Sequence, residues 1–438
     1  MKVLVLGGGG REHALIWKLS QNPEVNALYC IPGNGGICEQ AICADIPLTD
    51  FRAIMQFVRV YEIDFTVVGP EQPLVDGIVD AFQAERLPIF GPMRRAARLE
   101  GSKIFAKQLM QKYGIPTAAF GAFDQYADAR RYLDALPEGP VVVKADGLAA
   151  GKGSLVCPDK ASARQALEQL MQDRIFQEAG SRVVIEEFME GEEASLFVLT
   201  DGTDYVTLLP AQDFKRVYDN DQGKNTGGMG SYAPTPFVTP PVYQTVIRTI
   251  VEPTLEALQR EGIVYRGVLY CGLMLTADGP RVVEFNCRFG DPETQVVLPL
   301  LETDLLEMLM AIQRGELRRI KVRNRSGAAV CVVLASGGYP DAYEKGKVIQ
   351  GLDQVPDDVL IFHAGTQKVG ERLVTSGGRV LGVTALEENL EKAVNKVYQA
   401  VDKISFEKMH YRRDIARKAI EFLKQQSATA SEENESIN

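Results

Sequence analysis

VVVKADGLAAGKGSLVC, residues 141–157, decides how the middle of this 438-residue chain folds. Two apolar runs, PVVVKAD and SLVC, flank a loop of glycines and alanines. The loop resembles the phosphate-binding loop that opens a helix, but it lacks the glycine needed at Asp146 and the Ser or Thr needed at Gly153. An apolar strand follows it, not a helix. The stretch therefore reads as a β-hairpin whose glycine loop can fold over phosphates as a flap. Glycine-rich hairpins without a ligand share the pattern, so the loop alone assigns no function.

Outward from the hairpin, the chain divides. The first hundred residues alternate strand and helix signals: VLVL, a helix over 11–21, a strand over 27–31, a helix over 50–61, DFTVVGPE, a helix over 75–86, then PIFGP. That alternation predicts a doubly wound parallel sheet with its ligand crevice at the carboxyl ends of the strands. After Ser102 the pattern is α+β, with helices over 161–176 and 241–261 and a second hairpin, VLYCGLML and RVVEFN, joined at TADGP. A last unit opens at GAAVCVVLASGG. It ends in a helix with Ala393, Val394, Val397, Tyr398 and Val401 at core spacing. The expected domains are 1–101, 102–326 with a lid at about 120–190, and 327–426. Residues 427–438, small and acidic, are expected to be a disordered tail.

Composition narrows the function. Lys+Arg 48 against Asp+Glu 58 gives a net charge of -10, which disfavours nucleic acid as a partner. No apolar run reaches the ~18 residues that a membrane span requires. The 7 cysteines are odd in number and scattered, which predicts reduced thiols in a cytosolic protein. Forty glycines gather in short loops where a backbone can approach a ligand.

Three constellations carry chemistry. GGGGREH follows a strand and opens a helix, the place where free N–H groups hold phosphate, and Arg11 adds a charge for an anion. It is not a dinucleotide fingerprint, because Glu12 or His13 falls in the last glycine slot. In VVEFNCRFGDPET, strand alternation puts Glu284, Asn286 and Arg288 on one face and Val283, Phe285 and Cys287 in the core. A carboxylate beside a carboxamide offers hard oxygen ligands for Mg²⁺, and Arg288 offers a clamp for an anion. IEEFMEGEEAS is equally an acidic turn or a ligand wall. QDFKRVYDNDQGKNTGGMG combines Asp213, Lys215 and Arg216 with a third glycine loop.

GGGGREHAL, GPEQPLVDGIVD, LEGSK, KADGLAAGKG, IEEFMEGEEAS, NTGGMG and EFNCRFGDPETQ, in this order, closely resemble the phosphoribosylamine–glycine ligase family of the ATP-grasp superfamily. The resemblance covers all but the tail. It implies an ATP-dependent ligase of purine biosynthesis that joins glycine to 5-phosphoribosylamine through glycyl phosphate, with Mg²⁺ or Mn²⁺, in the cytoplasm. A monomer is the default reading.

By motif, Lys103 and Lys144 would meet the ATP phosphates under a flap containing Gly147, Gly151 and Gly153. Glu186, Glu187 and Phe188 would line the adenine, and Glu193 would take the ribose. Glu284 and Asn286 would ligate the metal. Asp213 and Arg288 would hold the amine and carboxylate of glycine, and with Lys144 would form the catalytic set. Gly9, Gly10, Arg11 and Asn34 would receive phosphoribosylamine, and SGGR at 376–379 is a further candidate contact.

Two positions depart from the family pattern: Phe214 where QDHKR is usual, and Lys224 where GPNTGG is usual. A histidine at the first therefore plays no role here. Rival readings are a ligase for another acid, a nicotinamide-dependent dehydrogenase and a nucleotide sensor without turnover.

Overall fold

The computed structural model describes residues 1–149, 153–175 and 177–436. Strands Ile42–Cys43, Ala27–Pro32, Lys2–Gly7, Phe65–Val68 and Ile89–Phe90 form, in that spatial order, an all-parallel sheet. Val3, Leu4, Val5 and Leu6 are all fully buried, because helices cover both faces. The chain reverses its winding at Lys2–Gly7, so the crevice lies beyond the carboxyl ends of Lys2–Gly7 and Phe65–Val68. Gly7 has φ +121°, and a Cβ there would lie 2.5 Å from Glu12 Cγ. The helix expected over 75–86 is two, Glu71–Asp76 and Ile78–Ala84, broken by Gly77 at φ +95°.

The hairpin at 141–157 is present. Val141–Ala145 pairs antiparallel with Ser154–Cys157, with Val141 opposite Cys157 and Lys144 opposite Ser154. It belongs to a four-stranded sheet with Phe120–Phe123 and Val183–Glu187. Gly151, with Ala150 and Lys152, lies outside the described residues, as does Phe176. The helix expected over 161–176 is Lys160–Leu167 followed by a wider π turn, Glu168–Gln172. The long helix is Pro240–Val246 and Glu252–Arg260 around a π turn, Ile247–Val251. Pro253, with no N–H to donate, stands in the first turn of the second part.

The second hairpin, Gly267–Thr276 with Gly279–Asn286, lies in an antiparallel sheet with Glu192–Thr200 and Tyr205–Thr207. One correction falls here. Gly272 faces Glu284 and Leu273 faces Val282, so Val283 is an extra, bulged residue. Val282 is the buried core residue, and Val283 turns to line a cavity instead.

The last sheet runs Gln212–Asp213, Gly230–Ala233, Ala328–Ala335, Arg379–Glu387, Val359–His363. Its first two strands come from before the expected boundary at 326/327. Phe214 and Tyr232 seat them in the C-terminal core, beneath helix Leu390–Val401. Asp213 thereby stands at the seam of the units.

Two further expectations change. Cys38 and Cys43 form a disulfide, since the short helix Ile37–Gln40 turns back into strand Ile42–Cys43 and brings the two together. The other five cysteines are free and buried. The stretch read as a disordered tail continues a helix, Arg417–Ser436, rich in helix-forming Ala, Glu, Gln and Lys and free of Gly and Pro. Among the described residues no helix is long and apolar enough to cross a membrane.

Candidate active site

A cavity of about 770 Å³ opens where the units meet, and it is lined by residues from every constellation named above. On the wall built by the central hairpin, Lys144 projects from strand Val141–Ala145 and is almost fully buried. Its Nζ lies 2.9 Å from Glu186 Oε2 and donates to the Val283 carbonyl at 3.1 Å. The other Glu186 oxygen lies 3.1 Å from Lys107 Nζ. Lys103 donates to the Gly147 carbonyl at the root of the flap, 3.3 Å away. Burial holds the Lys103 and Lys107 ammonium groups below their ordinary range, Lys107 at about 8. Two lysines, Lys144 and Lys107, thus share one carboxylate. Gly147 and Gly153 are close-approach positions, where a Cβ would meet Ala179 and Ala149 at 2.8 and 2.6 Å.

The adenine and ribose candidates separate. Glu186 is buried and ion-paired. Glu187 points outward, pairing with Arg281 at 2.7 Å, and Phe188 is 39% exposed at the rim. Glu193 pairs with Lys215, which also lies 3.3 Å from Asp213. Burial, with Glu293 and Glu193 nearby, raises the Asp213 carboxyl in spite of Lys215.

Glu284 and Asn286 line the cavity together, and neither side chain hydrogen-bonds another described residue. Burial would raise the Glu284 carboxyl, but Lys215, Lys144, Lys103 and Arg288 outweigh that and hold it low. No group of three or more His, Cys, Asp or Glu with metal-holding geometry occurs among the described residues. An oxygen pair left open toward the cavity fits Mg²⁺, which takes one or two protein groups and completes its shell with phosphate and water.

Arg288 is anchored through all three of its guanidinium nitrogens. Its Nε donates to Glu71 at 3.1 Å, its Nη2 lies 2.9 Å from Glu100, and its Nη1 donates to the Phe289 carbonyl at 3.2 Å. Arg11 faces this same cavity. It donates to Glu12 at 2.6 Å and to the Phe289 carbonyl at 3.2 Å, and lies 3.9 Å from Glu71.

A second cavity, about 380 Å³, contains Gly9 and Asn34 but not Arg11. Asp291 and Arg379 line both cavities. Gly10 packs against Gln295, where a Cβ would lie 2.7 Å from its amide. The Asn34 side chain is fully engaged. Its amide donates to the carbonyls of Gly8 and His363 at 3.0 and 2.7 Å, and its oxygen accepts from the N–H groups of Gly36 and Ile37. It builds the loop and keeps no donor for a phosphate. Arg379 is the cation that faces this cavity, paired with Asp291 at 3.2 Å.

The motif reading missed Lys107, Glu71, Glu100 and Glu293 as residues of the cavity walls, whereas Arg379 is the cation of the SGGR candidate. Lys107 follows Lys103 by one helical turn, a spacing that signals one face. Glu71 and Glu100 stood inside quoted motifs with no partner visible. Of the two departures, Phe214 is buried against Tyr232 with the Arg412 guanidinium 4.8 Å from its ring, and Lys224 makes an exposed pair with Asp341 at 2.9 Å.

This arrangement defines a class: a nucleotide-scale cavity under a glycine hairpin, with lysines opposite an oxygen-ligand strand, is the ATP-grasp architecture. A biotin carboxylase from Campylobacter jejuni shares the fold at a TM-score of 0.71 and 16% identity, over 93% of this chain and 92% of that one. More specifically, the models of the phosphoribosylglycinamide synthetase N, ATP-grasp (A) and C domains match residues 1–100, 101–294 and 329–418, and the chain belongs to that family. It is 49% identical over 416 residues to the phosphoribosylamine–glycine ligase of Caldanaerobacter subterraneus subsp. tengcongensis, covering 95% of this chain and 99% of that protein. The Chlorobaculum tepidum ligase is 48% identical, covering 96% and 100%. The crystal structure of the Thermotoga maritima ligase superposes at a TM-score of 0.83 with 37% identity, covering 95% and 100%.

Proposed function

We propose that this chain is an ATP-dependent ligase that joins glycine to 5-phosphoribosylamine, giving glycinamide ribonucleotide, ADP and phosphate. A free carboxylate is a poor acyl donor. Transfer of the γ-phosphoryl group to a glycine carboxylate oxygen makes glycyl phosphate and supplies a leaving group. The amine nitrogen of phosphoribosylamine then attacks the carbonyl carbon, phosphate leaves, and the nitrogen gives up a proton. The observation that carries this reading is the single cavity in which Lys103 and Lys144 stand across from Glu284 and Asn286, in a chain whose relatives bear the ligase name.

In this reading the lysines take the triphosphate under the flap containing Gly147, Gly151 and Gly153. Glu186, Glu187, Phe188 and Glu193 border the nucleoside. Glu284 and Asn286 hold Mg²⁺, or Mn²⁺ in its place, which when bound offsets developing phosphoryl charge. Asp213 takes the glycine ammonium and Arg288 its carboxylate. We assign phosphoribosylamine to the second cavity, beside Gly9, Gly10 and Asn34, with Arg379 facing its phosphate and Arg11 bracing the partition. Domain limits at 101/102 and 326/327, with a lid at about 120–190, are kept as working divisions, the last sheet bridging the second. A cytoplasmic monomer acting only on small molecules fits this chemistry.

Phosphate release measured with each substrate omitted in turn tests the proposal. Release should require ATP, metal, glycine and phosphoribosylamine together. Release that is indifferent to glycine, or binding of ATP without release in any combination, would overturn it.

A further inference from the structure

The donors of Arg288 can be followed one by one. A guanidinium has five N–H groups. Glu71, Glu100 and the Phe289 carbonyl engage one each, on Nε, Nη2 and Nη1. One N–H on each terminal nitrogen stays open to a substrate oxygen. The three anchors differ in origin. Glu100 also accepts from the Cys287 N–H at 2.7 Å and the Cys287 thiol at 3.0 Å, so it is tied to the backbone that carries Arg288. Phe289 is its chain neighbour. Glu71 and Glu100 both belong to the N-terminal unit, but Glu71 alone among these anchors stands on the crevice beyond strand Phe65–Val68, at the start of helix Glu71–Asp76, where it reaches Arg11 as well as Arg288.

The crevice is also where the wall of the second cavity is built. Glu12 accepts from the Gly9 N–H at 2.7 Å and from Arg11, and Arg11 reaches both Glu71 and the Phe289 carbonyl. A continuous polar chain therefore runs from Gly9 through Glu12, Arg11 and Glu71 to Arg288. A long arginine side chain loses much rotamer freedom when it binds, unless its fork is already fixed. Two carboxylates on one guanidinium exceed what charge balance needs. Their arrangement on separate nitrogens is what fixes its direction.

We propose that Glu71 is a positioning residue that aims Arg288 at the glycine carboxylate and ties that aim to the wall of the phosphoribosylamine cavity. The proposal rests on the reading of Arg288 as the carboxylate partner. Glu71 touches no substrate in it and acts only through Arg288.

The test uses the full-length protein with Mg²⁺ and all three substrates, varying glycine or ATP in turn, for Glu71→Gln, Glu71→Asp, Arg288→Lys and the Glu71→Gln/Arg288→Lys pair. Glu71→Gln should raise the KM for glycine about tenfold or more while the KM for ATP stays within about twofold. Glu71→Asp should recover part of the loss. The double variant should lose less than the two singles together, because both act on one contact. An unchanged glycine KM in Glu71→Gln beside a raised one in Arg288→Lys would overturn the role of Glu71 alone. Unchanged values in both would overturn the Arg288 assignment and the proposal with it. Equal rises in both KM values would mark Glu71 as merely structural. If Glu71→Gln fails to fold by thermal melting, Glu71→Asp carries the same comparison, and an unchanged glycine KM in it overturns the proposal.

Discussion

Two ionic networks face one cavity and are built with opposite surpluses. Around Lys144, two lysines share Glu186 and Lys103 donates to the Gly147 carbonyl beside them, so cations outnumber carboxylates. Around Arg288, Glu71, Glu100 and Glu12 surround two arginines, and carboxylates outnumber cations. A network with spare positive charge is suited to receive a phosphate chain and is incomplete without one. A network already neutralised gains little from another ion and instead holds a geometry. The difference teaches that burying charge serves two purposes in the same site, attraction in one half and aim in the other.

Glu284 lies between the halves, within the field of Lys103, Lys144, Lys215 and Arg288. Glu284→Gln removes the carboxylate proposed to hold the metal and should bring the largest effect. Metal stabilisation of a transferring phosphoryl group is worth several kcal/mol, so losing half of it slows turnover about a hundredfold or more. Initial rates against free Mg²⁺ at fixed ATP check this, and excess Mg²⁺ should restore activity only in part. A curve that overlays the parent's would remove the metal from this strand. Lys144→Met tests the cationic half directly. It should raise the KM for ATP by about tenfold to a hundredfold, the range for a lost charged hydrogen bond, and leave the glycine KM near the parent's. A fall in melting temperature with intact kinetics would make Lys144 a structural ion and erase the contrast.

Asp213 sharpens the contrast through pH. Burial, helped by Glu293 and Glu193, raises its carboxyl above the ordinary value. If the ionised form holds the glycine ammonium, kcat/KM for glycine should fall on acidification along a limb above the usual ~4. Asp213→Asn should lower activity and remove that limb. The stability sign is opposite. A carboxyl raised in the folded state stabilises the fold below its unfolded pKa, and that contribution is lost as pH rises through the folded one. The asparagine variant should therefore melt no lower than the parent at pH 8 while losing turnover. A limb that persists in Asp213→Asn would assign the titration elsewhere.

Much of the fold was legible in the sequence because each rule acted locally. VLVL and DFTVV announced buried parallel strands, and the hairpin at 141–157 was set by two apolar runs around glycines. Val283 was misplaced because alternation assumes an unbroken pleat, and the bulge at Gly272 shows only once both strands are paired. Cys38–Cys43 escaped because a five-residue spacing says nothing until a helix and strand fold it back. Most of the described motif residues line one cavity or its neighbour, while Gly10 and Gly147 stand outside both linings. Their partners did not show: Glu71, Glu100 and Lys107 become meaningful only through contacts made far along the chain. Asn34 shows the converse, a residue placed at a site whose bonding capacity is already engaged by its own loop.

The smallest expected effect comes from Lys224, which departs from the usual family pattern beside a glycine loop. Its Nζ lies 2.9 Å from Asp341, but the two side chains are 69% and 64% exposed. An exposed ion pair is worth about 0–1 kcal/mol, since water screens it and two mobile chains must be ordered. The loop it borders is held by stronger bonds: Arg379 donates to the Gly227 carbonyl at 2.6 Å, and the Gly227 N–H donates to Tyr339 at 2.9 Å. Lys224→Ala should therefore change stability by about 0.5 kcal/mol or less and leave all three substrate KM values within about twofold. Added salt should abolish even that stability difference. Denaturant midpoints at low and high ionic strength measure it. A selective rise in the KM for phosphoribosylamine would instead make Lys224 part of the second cavity's cationic rim. The neutralised half of the site would then owe some of its function to attraction after all.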